Sequence, residues 1–384
     1  MADQHVILAG GGHAHALLIR KLGMTPQHGI RYTLVSPDRF TPYSGMLPGL
    51  IAGHYSHDQV HIDLERLCQW AGVNLIKASV DAVDADANKI TTSLGQDLSY
   101  TLLSLDTGST PNISVPGVSE FAVPVKPVSS FWQRWQQEFA GASPKSRTAG
   151  SGGQTIAVVG GGAGSVEIIL AMAWASQHDQ AFTGSPSFLL ISKTVTILPG
   201  YPEKVRTVAR QACLDLGVEI HESVTVSRVD SNRLTTDAGA VIETDAVFWC
   251  AQASAPRWPG QGGIACNEQG FVKVNNCLQS ESHPAIFAAG DIAHMTQSPV
   301  PKAGVYAVRQ APFLFDNIQA MLRGESLVRY TPQTRFLSIL ALGDKRAVGC
   351  KGKLSFHGRW AWWFKNRIDH SFMQQFRLLP RKSS

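Results

Sequence analysis

The sequence predicts an α/β protein: two units of parallel strands, each built on a strand, a glycine loop and a helix, followed by a smaller C-terminal α+β region. Three observations carry this prediction. The apolar run Val6-Ile7-Leu8-Ala9 enters the loop Gly10-Gly11-Gly12-His13-Ala14-His15, and a helical Ala-Leu-Leu-Ile stretch leaves it. The arrangement returns at Thr155-Ile-Ala-Val-Val159 and Gly160-Gly161-Gly162-Ala163-Gly164-Ser165. In such a loop, residues without side chains let backbone N–H groups and the positive end of the next helix approach a pyrophosphate. One copy is weak evidence, whereas two separated by a linker are a far rarer coincidence. The third observation is a change of character after Gly358, where tryptophan, phenylalanine and basic residues crowd together.

With 384 residues the chain is too long for one ordinary core. Hydrophobic residues at 44% and charged residues at 16% describe a packed chain without disordered bulk. The six cysteines are scattered, with no C-x-x-C and no metal-ligand spacing, which predicts a reducing compartment, no metal site and no redox-active dithiol. No apolar run reaches the length of a membrane span and the N-terminus lacks a signal peptide's basic start, so the expected location is the cytoplasm, at most on a membrane face. From Lys351 onward stand eight Lys or Arg and one acid, an excess larger than the net +5 of the whole chain. Basicity this local does not suit a nucleic-acid binder.

In chain order, the first loop opens a helix over about 13–23. Gly10 and Gly12 fit the first two fingerprint positions, and His15 stands at the third, where glycine or alanine would allow close helix–strand packing. Arg31 to Ser36 reads as the second strand. An acid at its end would grip a ribose hydroxyl; here Ser36 is followed by Pro37, Asp38 and Arg39, so the grip falls to backbone and Arg39. The loop Phe40-Thr-Pro-Tyr-Ser-Gly-Met-Leu-Pro-Gly49 is punctuated by proline and glycine. A helix near His61–Trp70, a strand near Val73–Ile76 and short alternating strands lead to Leu105-Asp-Thr107-Gly108, a turn suited to passing close under a nucleotide. Gly141–Gln154 is polar and aperiodic, as a domain linker is.

After the second loop, the strand Phe188–Ile191 ends in Ser192-Lys193 instead of an acid, which hints at tolerance of the 2′-phosphate of NADPH. A helix at Glu203–Leu216 stops at Gly217, and strands with turns at Ser231-Asn232 and Ala238-Gly239 follow. Pro284–Ala289 reads as a buried strand ending in Gly290-Asp291, where the acid suits a ribitol hydroxyl or a helix N-cap. Pro301–Gln310 begins a long helix.

With these residues in view, the chain over roughly 4–325 resembles the two-dinucleotide flavoproteins of the pyridine nucleotide-disulfide oxidoreductase superfamily. It is most similar to type II NADH dehydrogenases and sulfide:quinone reductases, and closer still to the flavoprotein module fused ahead of selenide, water dikinase. Gly10–His15, Ser36–Gly53 and Pro301–Gln310 carry that likeness. The resemblance implies two Rossmann-like FAD/NAD(P)-binding domains, the first discontinuous (1–125 and 280–330), the second 126–279, with a C-terminal region at 331–384. It implies FAD on Gly10, Gly12, His13, Ala14, Ser36, Pro37, Arg39, Thr107, Gly108, Gly290 and Asp291. The flavin ring would lie near Thr41, Pro42, Ser44, Gly45, Met46, Lys302 and Ala303. NADH or NADPH would lie on Gly160, Gly162, Ala163, Gly164, Ser165, Ser192 and Lys193. Glu167 occupies the position where a carboxylate orients the nicotinamide or protonates a reduced acceptor, and Lys302 the position of a cation at the flavin's pyrimidine edge.

The departures are equally specific. Cys350 has no partner cysteine at the usual distance, Gln252 replaces a glycine, and His13 with His15 fit packing or phosphate contact better than metal ligation. Arg335–Ser355 reads as short strands with a Gly343-Asp344 turn. Beyond it Trp360, Phe364, Ile368, Phe372 and Phe376 recur every four residues on a helix flanked by Lys365, Arg367 and Arg377, a pattern that suits an anionic membrane surface, the chain's own sheet or a dimer partner. The expected function is an FAD-dependent NAD(P)H dehydrogenase passing electrons to a quinone-like acceptor. Its alternatives are a flavin reductase of selenium or sulfur metabolism and a flavin-binding sensor or scaffold without turnover.

Overall fold

The structure, a computed structural model, describes residues 4–126, 131–132, 134–136, 154–178, 185–251 and 253–380. Of the expected linker only Gln154 is among them, and Gln252 lies outside the described residues.

The first sheet grows from β1 (Gln4–Ala9), apolar and buried from Val6 on, as a strand covered on both faces must be. It pairs in parallel with β2 (Ile30–Val35), which is followed by α2 (Leu47–Ile51) and by β3 (Asn74–Ile76) at the edge; β4 (Leu102–Leu105) flanks β1 on its other side. Between β1 and β2 runs α1 (His13–Met24). The second sheet repeats the plan. Its strands β5 (Ala122–Pro124), β6 (Thr155–Val159), β7 (Ser187–Ile191), β8 (Val218–His221) and β9 (Ala246–Trp249) lie parallel in the order β5-β9-β6-β7-β8. Helices α3 (Ala163–His178) and α4 (Glu203–Asp215) follow β6 and β7. The chain then returns: β10 (Ile286–Ala288) pairs in parallel with β4, and α5 (Gly304–Arg323) packs on α1.

Two boundaries differ from the sequence expectation. Residues 122–124 pair with β9, in the second sheet. Residues 258–274 lie against the first unit, with Ala85 donating to the Gly262 carbonyl and Val272–Val274 pairing with Ala293–Met295. Such short bridging strands have no periodicity to read. The helix expected at His61–Trp70 starts later, at Leu64. His57–Val60 is one helical turn, His61–Asp63 pairs with Phe40–Pro42, and the helix begins only then because the Asp63 side chain accepts the Arg66 N–H at 3.0 Å.

The C-terminal region is an antiparallel meander, β11 (Ser338–Ala341), β12 (Ala347–Lys351) and β13 (Leu354–Gly358), continued by α6 (Arg359–Arg377). Its five expected apolar positions do not share one face. A step of four residues turns about 40° on a helix, so four steps turn it about 160°. Trp360, Phe364 and Ile368 are exposed, Phe372 is half-buried and Phe376 is buried. Lys365, expected as a flanking surface charge, is buried with Asp369 on the opposite side.

The β11–β12 turn is pinned to α3 at Gly343, whose φ is +89° and where a Cβ would stand 2.6 Å from the Leu170 carbonyl oxygen. Gly343→Ala is expected to cost about 1–3 kcal/mol in urea unfolding followed by tryptophan fluorescence. Gly324→Ala, at φ +70° with open space around it, is the control and should cost about 1 kcal/mol. Equal losses would show that the turn does not bear on α3.

Candidate active site

The first loop is built on Asp106, which follows β4. Its carbonyl accepts the Gly12 N–H at 3.1 Å, and its carboxylate accepts the first amides of α1, from His15 at 3.0 Å and from Ala14. A Cβ on Gly12 would come within 2.3 Å of that carboxyl carbon, and one on Gly290 within 2.6 Å of its Oδ1. Burial pushes Asp106 up to about 7, against the two amides that favour its ionised form. His15 is fully buried, with Nδ1 on the Gly10 carbonyl at 2.7 Å and Nε2 on Ser104 Oγ at 2.8 Å. Its imidazole locks α1 to β4 where a small residue would have let them touch.

His13 opens α1 edge-on to Tyr43 at 5.5 Å. Burial lowers it to about 4, and its Nε2 has no partner among the described residues. The N-terminus of α5 reaches the same place, since a Cβ on Gly304, next to Ala303, would lie 3.8 Å from Ser44 Oγ and 4.0 Å from His13 Nδ1. Thr107 and Gly108 leave the loop's other side, and Gly108 (φ +73°) faces open space.

Two expected contacts are committed elsewhere. Arg39, two residues beyond Pro37, pairs with Asp63 at 2.7 Å and Glu65 at 3.2 Å, which answers its charge at the surface. Ser36 is buried and donates to the Asp38 carbonyl at 3.2 Å. In the second unit Ser192 is likewise buried, its hydroxyl 2.8 Å from Thr194 Oγ1 beneath Gly161, while Lys193 is exposed. Gly160 (φ +142°) packs on Ser165, whose hydroxyl meets the half-buried Cys250 thiol; beside Ala163, Gly162 and Gly164 face open space.

After β10, Asp291 accepts from Ser109 Oγ at 2.9 Å and Lys126 Nζ at 2.7 Å. Burial works to raise it, but Lys126 with these bonds holds it below the usual carboxylate range. Lys302 is held elsewhere: its ammonium donates to the Ala293 carbonyl at 2.6 Å and sits 3.8 Å over the Phe271 ring. Burial lowers Lys302 to about 8, against the Asp291 charge and with Lys126 adding to the burial. Lys126 is therefore the cation that reaches Asp291. It was missed because Pro124-Val-Lys-Pro127 offers no periodic context.

The remaining cluster joins all three parts of the chain. Glu167, in the second turn of α3, is half-buried and accepts the Ala341 N–H of β11 at 2.8 Å. Burial raises it to about 7 and Asp369 adds to that, while the Lys365 charge and the Ala341 amide pull it down. Lys365 donates to Asp369 at 2.7 Å and to the Gly45 carbonyl, and Tyr43 hydrogen-bonds to Asp369. Phe372 stacks on Tyr43 at 4.6 Å, and Met46 is buried behind Gly45. Only the Lys365–Asp369 spacing of four signalled this pair in the sequence. Cys350 lies buried in β12, its thiol pushed up by burial.

The cradles fit dinucleotides. Each helix start is fed by glycines, open space faces Gly108, Gly162 and Gly164, and the buried His13 Nε2 lacks a partner. Residues 4–311 match the family model described as pyridine nucleotide-disulphide oxidoreductase. The chain belongs to that family. FAD and NAD(P)H are the cofactors that go with it. An NADH dehydrogenase-like protein of Mycobacterium tuberculosis is 33% identical over 227 residues, 58% of this chain and 56% of that protein, so the match spans little more than half the relative's length. Demethylphylloquinone reductase of Synechocystis is 25% identical over 90% of this chain and 86% of its own. Among solved structures, NDH2 from Plasmodium falciparum in complex with NADH shares the fold at a TM-score of 0.78 and 14% identity, with 98% of each chain covered. The sulfide:quinone oxidoreductase of Aquifex aeolicus does so at 0.76 and 18%, with 97% of this chain and 91% of that one covered.

Asp106 generates a test. Its folded-state affinity for protons exceeds that of an unfolded aspartate, so between about pH 4 and 7 the folded chain binds a proton that the unfolded chain lacks, and this share of stability falls as pH rises through that window. Asp106→Asn should remove the loss, giving up to about 4 kcal/mol at pH 7.5 relative to the parent. Denaturant unfolding from pH 5 to 8 reads it, and parallel curves for the two proteins would refute it.

Proposed function

We propose that the chain is an FAD-dependent NAD(P)H dehydrogenase that delivers electrons to a quinone-like acceptor. FAD, when bound, supplies the chemistry that links a two-electron hydride donor to such an acceptor. The observation that carries the reading is the Glu167 carboxyl, poised near neutrality beside Lys365 and Asp369 where α3, the Ser44–Met46 turn and α6 meet.

In this reading Gly10, Gly12, His13 and Ala14 cradle FAD with Asp291, and the α3 N-terminus at Gly162–Ser165 takes the nicotinamide nucleotide. Glu167 holds a proton for a reduced acceptor, because a carboxyl near 7 is protonated in a large share of molecules at working pH. Lys365 and Tyr43 exclude water and keep the Ser44–Met46 turn in place. The mycobacterial and cyanobacterial relatives support the reaction type by their names, an NADH dehydrogenase-like protein and a demethylphylloquinone reductase.

Rapid anaerobic bleaching of the bound flavin by NADH is expected, with NADPH within about tenfold of it because no carboxylate ends β7. Glu167→Gln should leave bleaching intact and slow reoxidation by a soluble quinone about 10²-fold, removing the pH dependence of that step near 7. A flavin that neither NADH nor NADPH bleaches would sink the proposal.

The same reading places the protein on a membrane surface. Among the described residues no helix is long and apolar enough to cross a bilayer, yet Trp360 and Trp363 of α6 are 58% and 61% exposed beside Phe364, Ile368, Arg359 and Arg367. Aromatic groups among arginines suit anionic headgroups. Changing Trp360, Trp363 and Phe364 to Ser should abolish co-sedimentation with vesicles containing phosphatidylglycerol, without loss of FAD. Retained binding would refute the membrane reading, and a dimer that the triple change splits would assign the face to a second copy.

A further inference from the structure

Two adjoining cavities of about 240 and 640 Å³, with no residue of either glycine loop in their lining, share His54 and Lys345. They lie at the outer end of α3, where Trp174 and His178 stand seven and eleven residues beyond Glu167, about 10 and 16 Å along the helix at 1.5 Å per residue. Trp362 and His370 of α6 close the other side. This volume belongs to neither glycine loop, and nothing in the proposed reaction uses it.

Its lining is one-signed. No aspartate or glutamate among the described residues lines either cavity, and Asp344, next to Lys345, is held by Arg346. Lys345 sits at φ +60° at the hairpin tip, exposed and without an ion pair among the described residues. The three imidazoles are also pre-arranged. His54 Nε2 lies 2.6 Å from the Gly343 carbonyl, His178 Nδ1 2.9 Å from that of Trp174, and His370 Nδ1 3.0 Å from that of Asn366. A neutral imidazole has one N–H. Each ring gives it to a backbone carbonyl, so its other nitrogen becomes a donor only on protonation. The apolar walls are indoles already backed on one face, Trp174 by His178 at 3.5 Å and Trp362 by Tyr55 at 5.9 Å.

We propose that the joined cavity is a binding site for an aromatic acid, its anionic group set against Lys345 and the imidazoles and its ring body against Trp174 and Trp362. An anion there draws a proton onto His54. Burial holds His54 below the usual histidine range, with the Gly343 carbonyl and Asp344 opposing and Lys345 and His178 working with it, so a nearby anion shifts it toward the protonated form. Binding is therefore coupled to proton uptake and strengthens as pH falls from 8 to 6.

The probe is 2-naphthalenesulfonate, redox-inert, titrated calorimetrically into the FAD-loaded protein beside neutral 2-naphthalenemethanol. Because the probe neither gives nor takes electrons, the outcome is independent of whether the flavin turns over NAD(P)H. The sulfonate should bind at least tenfold more tightly than the alcohol, several-fold more tightly at pH 6 than at pH 8, and with proton uptake measured across buffers of different ionisation enthalpy. Lys345→Gln, an exposed change that leaves the flavin spectrum unaltered, should weaken the sulfonate about tenfold and the alcohol hardly at all; His54→Gln should flatten the pH dependence. Equal binding of the two probes, no binding of either, indifference to Lys345→Gln, or displacement of the sulfonate by NADP⁺ would each overturn the assignment.

Discussion

Lys365 is an ammonium taken out of water, and the joining of the three parts of this chain converges on it. Removing such an ion from solvent costs several kcal/mol unless fixed partners replace its hydration. Here they come from two directions, Asp369 one turn along α6 and the Gly45 carbonyl from the first unit. The constraint is geometric, since a rotation or slide of α6 would leave the charge buried and unpaired, which is far worse than never having buried it. The Ser44–Met46 turn is thus held by the C-terminal helix. Glu167 feels the same ammonium from α3, so its readiness to hold a proton depends on how well α6 is seated.

The two glycine loops show how one scaffold is finished for two purposes. Asp106 and Cys250 occupy matching stations, each just past the strand beside the loop strand, each N–H donating at 2.9 Å to the last residue of that strand, Ala9 or Val159. In the first unit the side chain there takes the leading amides of α1 for itself. In the second it is a thiol bonded to Ser165, which leaves the α3 start open to an external anion. A pyrophosphate at α1 must share its surroundings with an internal carboxyl, and that proximity favours the protonated acid. The side chain at this one station decides what the helix start is left to bind.

What the sequence disclosed follows from where its determinants lie. Strands β1, β2, β6 and β7 and their loops are written locally, as apolar runs stopped by glycine, and so was the meander with its turn at Gly343. Asp106 was passed over because a carboxyl at a strand end reads as a solvated cap until the helix that it serves is known. Lys365 looked like one more basic residue beside tryptophans, and only the side of α6 that meets Gly45 distinguishes it. Ser36, Arg39 and Ser192 were read by position within a motif, while their actual bonds go to Asp38, Asp63 and Thr194, partners that a linear fingerprint does not contain. Residues 122–124 and 258–274 cross between units through pairings of two or three residues, too short for any period to show.

The slow drift of the four-residue repeat on α6 explains how one helix serves two environments. Had the apolar positions alternated by three and four, a single stripe would have faced one neighbour along the whole length. Strict fours instead carry the stripe from solvent at Trp360 to the core at Phe376, and the vacated side in the middle is taken by Lys365 and Asp369. Trp360 and Lys365 are five residues apart, about 7.5 Å along the axis. The exposed aromatic end and the buried ionic pair are therefore parts of one rigid rod, with no loop between them to absorb movement. Anything that seats on the tryptophans bears directly on the pair that holds the Ser44–Met46 turn and biases Glu167. If that seat is a bilayer, an acceptor dissolved in it meets the site at a depth set by the helix rather than by diffusion of a flexible segment.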